Sequence, residues 1–169
     1  MTAPGVRRVF LSLGSNLGDR AATLAAAREA LAALPGTAVV AVSGIYETAP
    51  QERDDQPEFL NQVVCLDTGL EPYDLLAECR RIEHEHGRTR ELRFGPRTLD
   101  VDILLVQDVE SRDPELTLPH PRMLRRAFVL VPLAEVWGCA RGMGELDVAA
   151  LAEEAAREQP VRPYQAAEA

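Results

Sequence analysis

Asp100 and Asp102 stand two residues apart at the start of the apolar run from Leu99 to Val106. Strand side chains alternate between faces, so both carboxylates are expected on one face and Leu99, Val101, Ile103 and Leu105 on the other. Two acids at the end of an otherwise apolar strand suit a hard cation, which takes oxygen ligands. Arg93 and Arg97 lie just upstream, around the bend Gly95-Pro96. A guanidinium grips phosphate oxygens two at a time. Carboxylates for metal beside arginines for phosphate is the equipment of a magnesium–nucleotide site. The plainer alternative is an ion pair of Arg97 with Asp100 at the head of an ordinary half-exposed strand.

The chain around this stretch has 169 residues, 46% hydrophobic and 27% charged, which suggests one globular domain with a real core. The expected domain spans 1–169, with a core of about 6–158 and a loosely ordered tail over 159–169. No apolar run is long enough for a membrane span, and Met1 to Val9 lacks the core of a signal peptide. Cys65, Cys79 and Cys139 show no C-x-x-C spacing and read as reduced thiols of a cytoplasmic protein. The net charge of −9 argues against nucleic-acid binding, which needs a basic face. Yet Arg80, Arg81, Arg88, Arg90, Arg93 and Arg97 are concentrated in one stretch, and Arg122, Arg125 and Arg126 in another. Local arginines in an acidic protein fit a small anionic ligand in a cleft. All 18 basic residues are arginine, so the lysine-dependent P-loop is excluded.

These residues need elements to hold them. Val9 to Leu13 reads as a strand ending in the loop Gly14-Ser15-Asn16-Leu17-Gly18, with Asp19 capping a helix that carries Leu24, Ala27, Leu31 and Leu34 and stops at Pro35-Gly36. Val39 to Tyr46 and Gln62 to Thr68 read as strands, separated by a loop over Glu47 to Glu58. Pro72 opens a helix with Leu75, Leu76, Cys79 and Ile82 on one face and Gly87 at its stop. The polar stretch Arg88 to Pro96 is a mobile-loop candidate beside the acidic strand, and His84 and His86 are surface residues. Arg122 to Glu135 is expected as a helix interrupted near Pro132, and Asp147 as the cap of a last helix to about Arg157. The order β-α-β-β-α-β predicts an α+β fold: a ferredoxin-like sandwich whose mostly antiparallel sheet is flanked by helices.

The run from Arg93 to Leu104 closely resembles the signature of the 6-hydroxymethyl-7,8-dihydropterin pyrophosphokinase family. Four more segments agree in order: Leu13 to Gly18, Tyr46-Glu47-Thr48-Ala49-Pro50, Gln56 to Asn61, and Leu118-Pro119-His120-Pro121-Arg122-Met123. The resemblance covers about Val9 to Leu133 and implies the same fold class. It also implies transfer of pyrophosphate from ATP to the pterin hydroxymethyl group with release of AMP, two Mg2+ ions and ATP as co-substrate. The partners it implies are ATP and the pterin alone, with no nucleic acid or membrane and with the chain a monomer.

By the same resemblance, Asp100 and Asp102 are the metal-binding and catalytic acids, and Arg88 and Arg97 are catalytic phosphate-contacting arginines. Glu83, Arg88, Arg90, Arg97, Ile103, Thr117, His120 and Arg126 fall at ATP-binding positions. Thr48, Ala49, Pro50, Gln51, Phe59, Asn61 and Phe128 fall at pterin-binding positions, with the flat ring stacked between the two phenylalanines and Asn61 on its polar edge. Asp102 is also a candidate to take the hydroxyl proton. The chain departs from the family pattern at several points. Phe59 replaces a tyrosine, Phe94 a tryptophan, and the loop before Phe94 is one residue shorter. Glu115 stands where a phosphate-contacting arginine is found, and Arg80 where a glutamine is; Arg80 is a candidate to restore the charge lost at Glu115.

Two rival readings come from other classes. A nucleotidyltransferase pairs a Gly-Ser turn with an acid-x-acid strand, but there the acids follow closely, whereas Asp100 is far from Gly14-Ser15. A non-catalytic ferredoxin-like ligand-binding module shares the fold but has no use for two metal-binding acids.

Overall fold

The computed structural model describes residues 5–48, 58–87 and 99–165. In chain order the elements are β1 (Arg7–Ser15), α1 (Arg20–Ala32), β2 (Thr37–Val42), β3 (Tyr46–Thr48), β4 (Phe59–Thr68), α2 (Pro72–Gly87), β5 (Asp100–Val106), β6 (Ser111–Asp113), β7 (Leu116–Leu118), α3 (Ala127–Val136), α4 (Val148–Glu158) and β8 (Arg162–Pro163). The main sheet runs β5-β1-β4-β3-β8, with β2 also paired to β4, and its pairings are antiparallel. This is the α+β sandwich expected from the element order. The β6–β7 hairpin is a separate two-stranded sheet.

Helices cover both faces of the sheet, and the pleat sorts the side chains. On one face Val9, Leu11 and Leu13 of β1, Leu60, Val64 and Leu66 of β4, and Val101 and Ile103 of β5 meet Leu24, Ala27 and Leu31 of α1 and Leu75, Cys79 and Ile82 of α2. On the other face Phe10, Val63, Cys65, Leu104 and Leu105 meet α3 and α4 through Leu130, Leu133, Val148 and Ala152. Burying these side chains removes apolar surface from water at roughly 25 cal/mol per Å².

Several expectations need correction. Leu105 does not share a face with Leu99, Val101 and Ile103; it packs with Leu104 under α3 and α4. The cause is a register shift: Phe10 pairs with Leu105 but Leu11 pairs with Ile103, so Leu104 is an extra residue and the alternation slips there. Gly14 and Ser15 belong to β1 rather than to a loop, because both edges of β1 remain paired that far, with Gly14 opposite Asn61 and Asp100. The expected strand Val39 to Tyr46 is broken at Ser43, whose hydroxyl accepts from the Val63 N–H at 2.9 Å. The helix expected over Arg122 to Glu135 breaks at Arg126, between a short 3-10 turn at Met123–Arg125 and α3, while Pro132 sits inside α3. The tail is not loose over 159–165: Gln159 is hydrogen-bonded to the start of α3, and Arg162–Pro163 pairs with β3.

Asp19 caps α1 as predicted, accepting from the Ala22 N–H at 3.1 Å, and Asp147 caps α4, accepting from the Ala150 N–H at 3.0 Å. Gly87 ends α2 where helix and strand nearly touch: a Cβ there would lie 2.6 Å from the Leu99 Cβ and 2.8 Å from its nitrogen. Only glycine permits that approach. It seats the end of α2 against the head of β5, where Asp100 and Asp102 begin. Among the described residues no helix is long and apolar enough to cross a membrane.

Candidate active site

The face covered by α3 and α4 continues past their ends, and there its residues change from apolar to polar. Along β1 the row runs Phe10, Ser12, Gly14; along β4 it runs Cys65, Val63, Asn61, Phe59. The register sets Ser12 beside Asp102 and Gly14 between Asp100 and Asn61. Both acids therefore share one face, as the spacing predicts. Asp102 is exposed and Asp100 partly so. Among the described residues Asp102 has no ion pair.

A cleft opens at these acids. β5 is the edge strand, and a cleft of about 450 Å³ runs along it. Arg80 and Glu83 of α2 line one wall, Asp102 and Ile103 the floor, and Glu115, Thr117, His120 and Arg126 the other wall. Here the structure brings together the predicted ATP residues Glu83, Ile103, Thr117, His120 and Arg126. Inward across β1 the same face carries Asn61 and Phe59 of β4. The Asn61 Nδ2 donates to the Thr48 Oγ1 at 2.9 Å, and a Cβ on Gly14 would sit 3.4 Å from the Asn61 Oδ1 and 3.8 Å from the Phe59 ring. Gly14 thus places no side chain between the acids and Phe59. Phe128 stands at the first turn of α3 with the Arg126 guanidinium 5.4 Å from its ring centroid, within cation–π range.

His120 is held firmly. Its N–H donates to the Leu104 carbonyl at 2.8 Å, and its Nδ1 accepts from the Arg122 N–H at 3.2 Å. An accepting Nδ1 puts the neutral ring's proton on Nε2. Burial lowers the His120 pKa; Asp102 pulls it up, and Arg126 and Arg122 push it further down. The ring is therefore neutral at pH 7. Glu83 accepts from the Val101 N–H at 2.9 Å, so this acid ties α2 to β5 as well as lining the cleft. The Thr117 hydroxyl donates to the Asp113 carbonyl inside the hairpin, at 2.9 Å. His84 and His86 are exposed, as expected.

Arg80 and Glu115 face each other across the cleft mouth in an exposed ion pair of 3.0 Å. Arg80 thus lines the cleft with its charge shared with Glu115. Among the described residues three buried polar atoms have no partner: the Ser15 Oγ and both amide atoms of Asn16, just past Gly14. Each such group carries a desolvation cost of about 1–3 kcal/mol. Ala49, Pro50, Gln51, Arg88, Arg90, Arg93 and Arg97 lie outside the described residues.

The donor set at the strand end fits magnesium. That ion is commonly held by one or two carboxylates with substrate phosphates completing its shell. Two carboxylates on one face offer this, and among the described residues no group of three or more His, Cys, Asp or Glu side chains forms a closed cage.

Residues 10–138 match the family model of 7,8-dihydro-6-hydroxymethylpterin-pyrophosphokinase. The chain belongs to that family. It is an enzyme of pyrophosphoryl transfer in folate biosynthesis. The 2-amino-4-hydroxy-6-hydroxymethyldihydropteridine pyrophosphokinase of Methylorubrum extorquens is 52% identical over 129 residues, which cover 76% of this chain and 82% of that protein. The enzyme of the same name from Bacillus subtilis is 48% identical, over 75% of this chain and 76% of its own. Among solved structures, the Plasmodium falciparum HPPK-DHPS with pteroate overlays with a TM-score of 0.66 at 15% identity, covering 90% of this chain and 43% of that one. At that identity the overlay supports the fold alone.

Sequence reasoning did not single out Gly14 as the residue that leaves no side chain between the acids and Phe59. The paired order of strands made it visible. Nor did it see that Arg126 and Phe128 form one cation–π unit, although a spacing of two at a helix start was a signal.

Proposed function

We propose that this enzyme transfers the pyrophosphoryl group of ATP to the hydroxymethyl oxygen of 6-hydroxymethyl-7,8-dihydropterin, releasing AMP. The observation that carries the reading is the position of Asp100 and Asp102, on one face beside the edge cleft and across β1 from Asn61. ATP lies in the cleft with its phosphates toward the acids. The pterin lies on the inner side of the acids, with its polar edge on Asn61 and Thr48 and its faces on Phe59 and Phe128. Each aromatic contact adds roughly 0.5–1.5 kcal/mol beyond area burial. Ala49, Pro50 and Gln51 complete the pterin edge.

Two magnesium ions held by Asp100 and Asp102 would neutralise triphosphate charge and lower the pKa of the attacking hydroxyl. The chain's own groups do the rest. Arg126 and the Nε2–H of His120 donate to phosphate oxygens, as do Arg88, Arg90 and Arg97, and Glu83 holds β5 in place while facing the ribose. The acceptor oxygen and the departing AMP oxygen are set in line through the β-phosphorus. Catalysis of this kind rests on positioning and charge neutralisation.

The test is AMP release with ATP, magnesium and the pterin, on wild type, Asp100→Ala and Asp102→Ala. Magnesium-dependent AMP from the wild type and near-background rates from both variants are expected. Release of pyrophosphate instead of AMP, or full activity in either variant, overturns the reading.

A further inference from the structure

We propose that Gln159, which lies beyond the matched family region, is a positioning residue that fixes Arg126 and Phe128, and that Gln159 to Tyr164 straps the two sides of the site together. This rests on the proposed roles of those two residues.

α3 begins at Ala127 with Arg126 at the cap position, and no side chain there caps the helix locally. Arginine has no acceptor to offer the free N–H groups of a helix start. Gln159 supplies what is missing. Its Oε1 accepts from the Ala127 N–H at 3.0 Å, and its Nε2 donates to the Arg125 carbonyl at 2.7 Å. One carboxamide thus clamps the peptide groups on both sides of Arg126. The backbone of Arg126 is extended, with φ −110° and ψ 114°. Its guanidinium is aimed back over Phe128 and into the cleft. Releasing the clamp frees the joint from which both side chains leave.

The chain then crosses to β3. Arg162 and Pro163 pair with Glu47 and Tyr46 of β3, and the Tyr164 N–H donates to the Ile45 carbonyl at 2.8 Å. Arg162 pairs with Glu47 and Glu58, and the Tyr164 ring lies 5.7 Å beneath the Arg20 guanidinium. β3 ends at Thr48, the hydrogen-bond partner of Asn61. One short segment therefore holds the start of α3 and the strand that carries Thr48. Residue 138, where the family match ends, precedes all of it.

A purely structural cap is the competing explanation, and a double-mutant cycle separates the two. AMP-release kinetics are measured on Gln159→Ala, Arg126→Ala and the double variant, with Gln159→Glu as the conservative change that keeps the acceptor to Ala127. Gln159→Ala is expected to raise KM for ATP about tenfold with a smaller change in kcat. Gln159→Glu recovers part of the loss and also serves if the alanine variant is unfolded. In KM for ATP the double variant is no worse than Arg126→Ala alone, because there the clamp acts through that arginine. Effects that multiply, or an unchanged KM in Gln159→Ala and Gln159→Glu, overturn the positioning role. If Arg126→Ala itself leaves KM for ATP unchanged, the assigned role of Arg126 is wrong and this inference falls with it.

Discussion

One sheet face carries charge at both ends, and the ends use it in opposite ways. Under α3 and α4, Arg8 and Asp67 sit on neighbouring strands and form a two-bond pair, at 2.8 and 2.9 Å, while the Arg8 Nη1 donates to the Cys139 carbonyl at 3.0 Å. Beside them burial pushes the Cys65 thiol up to about 12, so it stays protonated. Toward the other end of that face, on the neighbouring strand β5, Asp102 lies exposed with no ion pair among the described residues. The face and the pleat are the same; the partners differ. A carboxylate matched by a guanidinium is spent on the fold. One left facing a cleft remains available to a cation that arrives with substrate.

The contrast predicts opposite phenotypes. Asp102→Asn should lower kcat/KM for AMP release by about a thousandfold, some 4 kcal/mol of transition-state stabilisation. Chemical denaturation should find it no less stable than wild type, since no ion pair among the described residues is broken. Asp67→Asn should do the reverse. Leaving Arg8 buried without its acid costs about 3 kcal/mol of stability, with kcat retained. The Arg8 guanidinium holds the Asp67 carboxyl below its ordinary value. The stability this supplies is present at neutral pH and is lost as pH falls below about 4, through the folded-state value. A large stability loss in Asp102→Asn, or a large kcat loss in Asp67→Asn, would erase the distinction.

What the sequence made legible follows the range of the interactions. The acids of β5 were readable because a period of two is local and Asp100 and Asp102 lie before the slip at Leu104. Leu105 lies after it, and nothing in an unbroken apolar run marks which residue is the extra one. The caps Asp19 and Asp147 act within three residues and were readable too. The break at Arg126 was not, because the proline inside α3 is the louder local signal, while the clamp on that joint comes from Gln159, 32 residues along the chain from Ala127. The ion pair of Arg80 with Glu115 likewise spans 35 residues. Only the fold shows that the two touch.

His120 offers a subtler probe of the open end. Its folded-state pKa is lowered, chiefly by burial, below the value of about 6.5 expected in an unfolded chain. The unfolded state therefore takes up a proton first as pH falls. Stability is undiminished above about pH 6.5 and declines below it. His120→Asn should flatten that part of the stability–pH curve while leaving the lower limb due to Asp67 in place. Curves measured by denaturant titration between pH 8 and 5 that run parallel for the two proteins would show that His120 is not the group responsible.

The smallest expected effect is at the cleft mouth, where both partners of the Arg80–Glu115 pair are more than half exposed. Such a pair contributes about 0–1 kcal/mol to stability, so breaking it should hardly move a denaturation curve. Its effect on ligand is another matter, because ATP brings negative charge to a wall that already holds an acid. Glu115→Gln releases Arg80 and removes that acid, and should tighten ATP binding a few-fold, more at low salt than at high. Arg80→Ala leaves Glu115 unmatched and should weaken binding by more than Glu115→Gln strengthens it. The double variant should fall near wild type, because guanidinium and carboxylate leave together. Titration calorimetry with ATP and magnesium at two ionic strengths reads all three. Equal affinity in all of them would mean that the phosphates lie beyond reach of the mouth.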